Sequence, residues 1–153
     1  MALLRPHTAT FEARHSPEFT SLEAYEAYSD YNGMADLTRD LIQQAARDAF
    51  DLSEGEEIVR LADGTEYDLS GQWDRIDLYG STSEALGEEI TVETPRETLV
   101  KYAERIGLEV DDYAVSGKIV EDIFEELVAS KLWAPTFVYD FPEDTSPLTR
   151  YHR

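Results

Sequence analysis

The run Arg14-His15-Ser16-Pro17-Glu18-Phe19-Thr20-Ser21-Leu22-Glu23-Ala24-Tyr25 decides how the rest of the chain is read. It sets a cation, an imidazole, an aromatic ring and two acids close together. Over residues 19–28, aromatic and β-branched side chains are interleaved with Ser, Glu and Ala, which predicts an extended strand. On such a strand Phe19, Ser21, Glu23 and Tyr25 share one face, with Glu23 and Tyr25 about 7 Å apart. A carboxylate and a phenol at that spacing can hold an ammonium group between one charge-assisted and one neutral hydrogen bond. Phe19 offers a flat surface for a base at the other end of the face. Arg14 and His15, in the preceding loop, are placed to contact phosphates. The same residue types on a strand also serve as solvated charge and core aromatics, so periodicity alone leaves both uses open.

Beyond this run, Asn32-Gly33 is expected to break the chain. Met34, Leu37, Leu41, Ala45, Asp48 and Ala49 then recur at spacings of three and four, with Ile42 and Phe50 widening the stripe. That spacing predicts an amphipathic helix. Residues 58–61 and 66–69 flank Ala62-Asp63-Gly64-Thr65, and the Asp-Gly pair signals a hairpin turn needing positive φ. Trp73, Ile76, Leu78 and Tyr79 predict another short extended segment. Thr94-Pro95-Arg96-Glu97 has the form of a capping box with Pro at the first helical position, and that helix should stop at Gly107. A further helix is expected over residues 117–130. Ile119, Val120, Ile123, Phe124, Leu127 and Val128 form its buried stripe, and Glu121, Asp122, Glu125 and Glu126 face water. Residues 136–141 form a β-rich run ending at Pro142, and a basic tip comes after it at Arg150, His152 and Arg153. Strands and helices are mixed without strict alternation, which argues an α+β fold with an antiparallel sheet and flanking helices.

At 153 residues the chain is one domain's length, and a chain of this size buries roughly 70% of its unfolded surface. There are no cysteines, which excludes disulfides, thiolate metal sites and a cysteine nucleophile. Thirty-three acids oppose thirteen basic residues, for a formal net charge of -20. Such a surface repels phosphate backbones, so the chain is not expected to bind nucleic acid as its main partner. No leader or long apolar run is evident, and a soluble, cytoplasmic protein without a membrane partner is expected. His7 and His15 do not have metal-ligand spacing, and no metal site is expected. The glycines form no phosphate loop, and no serine sits in a nucleophile elbow.

The opening run resembles the second half of motif 2 in class II aminoacyl-tRNA synthetases, most closely the lysine-specific branch. The residues that carry the resemblance are His15, Ser16, Pro17-Glu18-Phe19-Thr20, Glu23 and Tyr25. It continues through Tyr28-Ser29-Asp30-Tyr31, Leu37-Thr38-Arg39 and Gly71-Gln72-Trp73-Asp74-Arg75-Ile76. Further on it covers Gly117-Lys118-Ile119-Val120, Ile123-Phe124-Glu125-Glu126, Pro135-Thr136-Phe137-Val138-Tyr139-Asp140 and Ser146-Pro147-Leu148. These blocks lie in order over about residues 14–150, which is far more specific than one motif.

The resemblance implies that Phe19 stacks on adenine and that Arg14 and His15 lie at the ATP phosphates as the catalytic pair. It implies that Glu23 and Tyr25 recognise the substrate lysine. Members of this family use ATP as a substrate, with magnesium, to form lysyl-adenylate and then acylate tRNA; they work as homodimers. Residues 1–13 depart from the pattern: His7 falls where the family has the α-phosphate arginine, and Ala9 where it has an acid. The expected division is therefore a non-matching segment over 1–13 and a catalytic-core fragment over 14–153. That fragment would run from the middle of motif 2 to before motif 3. It would lack the magnesium ligands, the dimer segment and the regions that bind tRNA, and would be impaired alone. Two alternatives share its residues: a paralogue ligating lysine-type amino acids to a protein, and a non-catalytic module binding lysine and ATP. An aspartate or asparagine ligase is disfavoured, since Glu23 would repel an aspartate.

Overall fold

The structure, a computed structural model, describes residues 20–148. The chain divides into two compact units, residues 1–34 and 35–153.

In the first unit, residues 20–26 form no strand, and the chain turns at Ala27-Tyr28, with Tyr28 left-handed at φ 61°. The strand expected over 19–28 is not formed among its described residues. A strand needs a neighbour to accept and donate along its backbone, and none of residues 20–25 has a backbone partner among the described residues. The expected break at Asn32-Gly33 is absent too: helix α1, Tyr31–Phe50, starts one residue earlier. Asp30 explains the start. Its Oδ1 accepts from the N–H of Asn32 at 2.9 Å and of Gly33 at 3.1 Å, satisfying two orphan donors of the first turn. Asn32 and Gly33 are thus absorbed into the helix rather than ending the segment before it.

In the second unit, α1 presents Arg39, Gln43, Ala46 and Arg47 to the rest of the chain. Gln43 Nε2 donates to the carbonyls of Leu69 and Gly71 at 2.7 and 2.9 Å. Arg39 Nη1 donates to Gln72 Oε1 at 2.6 Å, and Asp36 accepts from Arg75 at 2.9 Å. The apolar stripe takes no such part: Leu37, Leu41 and Ile42 remain 44%, 47% and 39% exposed.

Strands β1, Ile58–Arg60, and β2, Glu66–Asp68, pair antiparallel, with Val59 opposite Tyr67. The hairpin turns as expected at Asp63-Gly64. Gly64 has φ 88° and donates to the Leu61 carbonyl at 3.0 Å, a conformation open to glycine at little steric cost. A second two-stranded sheet is parallel. Here β3, Asp74–Asp77, runs beside β4, Thr136–Tyr139, with Ile76 opposite Val138. The connection between them consists of three helices: α2, Leu78–Leu86, α3, Arg96–Arg105, and α4, Ser116–Leu127. Parallel neighbours cannot be joined by a tight turn, so a helical crossover is required. The fold is thus α+β, with a small antiparallel sheet, a parallel pair and flanking helices.

Helix α2 was not expected, and Leu78 and Tyr79 belong to it rather than to the preceding strand. The carboxylate of Asp77 stops the strand by capping the N–H groups of Tyr79 and Gly80 at 3.2 and 2.7 Å. The capping box at α3 does not form. Thr94 Oγ1 instead accepts from the N–H of Thr91 at 2.8 Å, and Pro95 precedes the first helical residue without a side-chain cap. The stop at Gly107 is as expected. Gly107 N donates to Glu104 O and Leu108 N to Ala103 O, both at 3.0 Å, while Gly107 adopts φ 88°.

The core lies among the three crossover helices. Leu78, Ile90, Leu99, Ala103, Ile119, Val120, Ile123 and Phe124 form one buried cluster, with Ile76 and Val138 of the parallel sheet packed against it. Residues 119, 120, 123 and 124 therefore bury the stripe expected of α4. Glu125 and Glu126 are exposed, but Glu121 and Asp122 are half-buried. Glu121 accepts from Thr145 Oγ1, and Asp122 pairs with Lys118. The short 3-10 turn Glu143–Thr145 is pinned across the start of α4 in this way.

Candidate functional site

Of the residues expected to form a site, Glu23 and Tyr25 are described. Arg14, His15 and Phe19 lie outside the described residues. Tyr25 Oη donates to Glu23 Oε2 at 2.9 Å. Both side chains are exposed, Tyr25 at 89%. The contact is made at a spacing of two residues, without a strand to align the pair. The phenol's pKa is raised, first by its hydrogen bond to Glu23, then by that carboxylate's charge, with a lesser contribution from burial. Phenol ionisation would put two negative groups side by side, so the pair holds Tyr25 neutral. Glu23 Oε1 makes no hydrogen bond among the described residues.

A second polar feature, which the sequence did not disclose, lies in the second unit. Asp40, Gln43, Gln44, Arg47, Glu54, Gly55 and Glu57 line an open depression of about 450 Å³. At its base the Glu57 carboxylate, 1% exposed, pairs with Arg47 Nη1 and accepts from Gly55 N at 3.1 Å. Burial pushes the Glu57 carboxyl up, but the Arg47 hydrogen bond and charge and the Gly55 N–H outweigh it, so its pKa is lowered overall. These charges are engaged by one another, and they tie α1 to the start of β1. Tyr79 is a third case. Burial, then Asp144, Glu121 and Asp77 in turn, raise its phenol pKa.

Among the described residues no group of three or more His, Asp or Glu side chains is placed to hold a metal ion. No helix among the described residues is long and apolar enough to cross a membrane.

The model of the family of class II tRNA synthetases (D, K and N) matches residues 9–153. The chain belongs to this family. A lysine–tRNA ligase from Kineococcus radiotolerans is 52% identical over 143 residues, covering 93% of this chain and 28% of that protein. One from Mycolicibacterium gilvum is 52% identical over 144 residues, with the same coverage of 93% and 28%. A lysylphosphatidylglycerol biosynthesis bifunctional protein from Gordonia bronchialis is 43% identical over 143 residues, 91% of this chain and 12% of that protein. The chain thus spans about 28% of the length of the lysine–tRNA ligases it matches. Within this synthetase segment, Glu23 and Tyr25 are in contact with each other and exposed.

Proposed function

We propose that this chain is part of the catalytic core of a lysine–tRNA ligase, the part that recognises the lysine side chain. The observation that carries the reading is the Glu23–Tyr25 pair, in which one carboxylate oxygen has no hydrogen bond among the described residues. The 52% identity to lysine–tRNA ligases supports lysine as the amino acid. In the whole enzyme ATP would be a substrate, with Phe19 stacking on adenine and Arg14 and His15 at the phosphates. The chemistry would be attack of the lysine carboxylate on the α-phosphate of ATP, breaking the α–β phosphoanhydride bond to give lysyl-adenylate and pyrophosphate. It depends on positioning and charge neutralisation more than on a general base. Residues 14–153 would form this core segment and 1–13 a separate lead-in. Dimerisation, tRNA binding and a cytoplasmic location belong to the whole ligase in this reading, and the segment alone would turn over poorly.

The test is thermal unfolding with a non-hydrolysable lysyl-adenylate analogue, using the aspartyl analogue as control. At a hundredfold excess over Kd a ligand specific for the native state stabilises by about 2.7 kcal/mol. The lysyl analogue should raise Tm, the aspartyl one should not, and Glu23→Ala should abolish the rise. An equal rise in wild type and Glu23→Ala would refute the assignment of Glu23.

A further inference from the structure

We infer that Asp30 is a positioning residue for lysine selectivity, acting through the turn that follows Glu23 and Tyr25. This rests on the proposed lysine-binding role of those two residues. The pair itself has little to fix it: among the described residues, no backbone hydrogen bond ties residues 20–25 to any other part of the chain. Immediately beyond the pair the chain turns, and there Tyr28 is left-handed at φ 61°, a conformation that residues bearing a Cβ avoid. Such a conformation persists only when its surroundings determine it. Asp30, two residues further on, fastens the chain to the helix that follows. Its Oδ1 accepts the N–H of Asn32 at 2.9 Å and of Gly33 at 3.1 Å, while its carbonyl accepts Met34 N at 3.1 Å. Three bonds thus converge on the one residue that joins the turn to α1.

Gly33 completes the fit. A Cβ there would fall on Ser29 Oγ and come within 3.8 Å of Glu26 Oε2, so the turn is folded closely over the first helical turn. Glu26 is one residue beyond Tyr25. Loss of the cap therefore frees the exit of the recognition segment from its helical anchor. The ligand must then supply the order that the cap supplies in the native chain, and its affinity falls accordingly. The upper limit of the loss is the worth of the cap, about 2- to 30-fold in Kd.

The test uses the 153-residue chain and two non-hydrolysable adenylate analogues, lysyl and norleucyl, the second lacking only the ammonium. Kd is measured for wild type, Asp30→Ala, Asp30→Asn and Asp30→Ser. Asn and Ser keep a capping oxygen without the charge. The expected result is that Ala loses lysyl affinity by about 2- to 30-fold with norleucyl affinity unchanged, whereas Asn and Ser keep the wild-type preference. An unchanged preference in Asp30→Ala overturns the inference. Equal loss of both analogues overturns it as well, since the residue would then serve only the fold. Loss in Asp30→Asn as large as in Ala would assign the effect to charge instead of the cap, which also overturns it. If wild type binds neither analogue, the reading of Glu23 and Tyr25 fails and this inference with it.

Discussion

Replacing Gly117 by alanine sets two effects of known size against each other. Gly117 is the second residue of α4 and is buried. In an exposed helix interior the change would stabilise by up to about 1 kcal/mol, because glycine has more backbone freedom to lose. Here the new methyl would fall on Asp144 Oδ1 and on the Cβ of Pro142. The carboxylate can swing away, but the proline ring cannot without moving the backbone of the adjoining 3-10 turn. Forced overpacking of this kind costs about 1–3 kcal/mol. The displaced carboxylate also gives up the Gly117 N–H, which it accepts at 3.0 Å, a charge-assisted bond that contributes about 1.5–3 kcal/mol. The two penalties exceed the propensity gain, and a net loss of about 1.5–5 kcal/mol is expected. For a chain of this size that lowers Tm by about 3–20 °C. Urea unfolding followed by far-ultraviolet circular dichroism gives the free energy directly. Combining the change with Asp144→Ala tests the route: with the carboxylate gone, the alanine should cost less than it does alone. A Gly117→Ala chain as stable as wild type, or more stable, would mean that helix propensity outweighs the contact and that the turn does not press on α4.

Packing and charge give two further outcomes. Ile123 is fully buried at the centre of the crossover core, so Ile123→Ala should lose about 2–5 kcal/mol in urea unfolding; a loss under about 1 kcal/mol would remove it from the core. The Glu57 carboxyl is lowered below its ordinary 4.5 in the folded chain. Its contribution to stability is therefore full above that value and is lost as pH falls through the folded pKa. Tm measured from about pH 7 to about pH 3 should drop more steeply in wild type than in Glu57→Gln, and identical acid limbs would refute the assignment.

What the sequence disclosed was mostly what neighbours in sequence determine. The α4 stripe, the Asp63-Gly64 turn and the Gly107 stop each depend on residues within about five positions of one another, and each appears as expected. The contact of Glu23 with Tyr25 is equally local, but it is made without the strand expected over 19–28. Helix α2 was equally local and still missed. Asp77 at its start and Gly87 at φ 74° past its end were the signals, but the alternation of Trp73, Ile76 and Leu78 suggested a strand running through them. A single capping carboxylate outweighed that alternation. At Thr94 the reverse happened: the capping pattern was present, but its hydroxyl went to Thr91.

The orientation of α1 was beyond any local reading. Its apolar positions recur at helical spacing, and the usual inference is that this stripe docks against the chain. The side that does dock carries Arg39, Gln43 and Arg47, spaced four apart. The reason lies elsewhere in the sequence. The carbonyls of Leu69 and Gly71 need donors, and Gln43 Nε2 bonds both across 26 and 28 residues of chain. Glu57 needs a cation once it is buried, and Arg47 supplies one. Leaving such groups unpaired costs more than leaving leucines half-exposed, because partial exposure forgoes a favourable transfer whereas an orphaned buried charge must be desolvated outright. Those demands arise from residues 57–71, so no window drawn over α1 contains them. Hydrophobic period told where the helix is, and distant polar partners decided which way it turns.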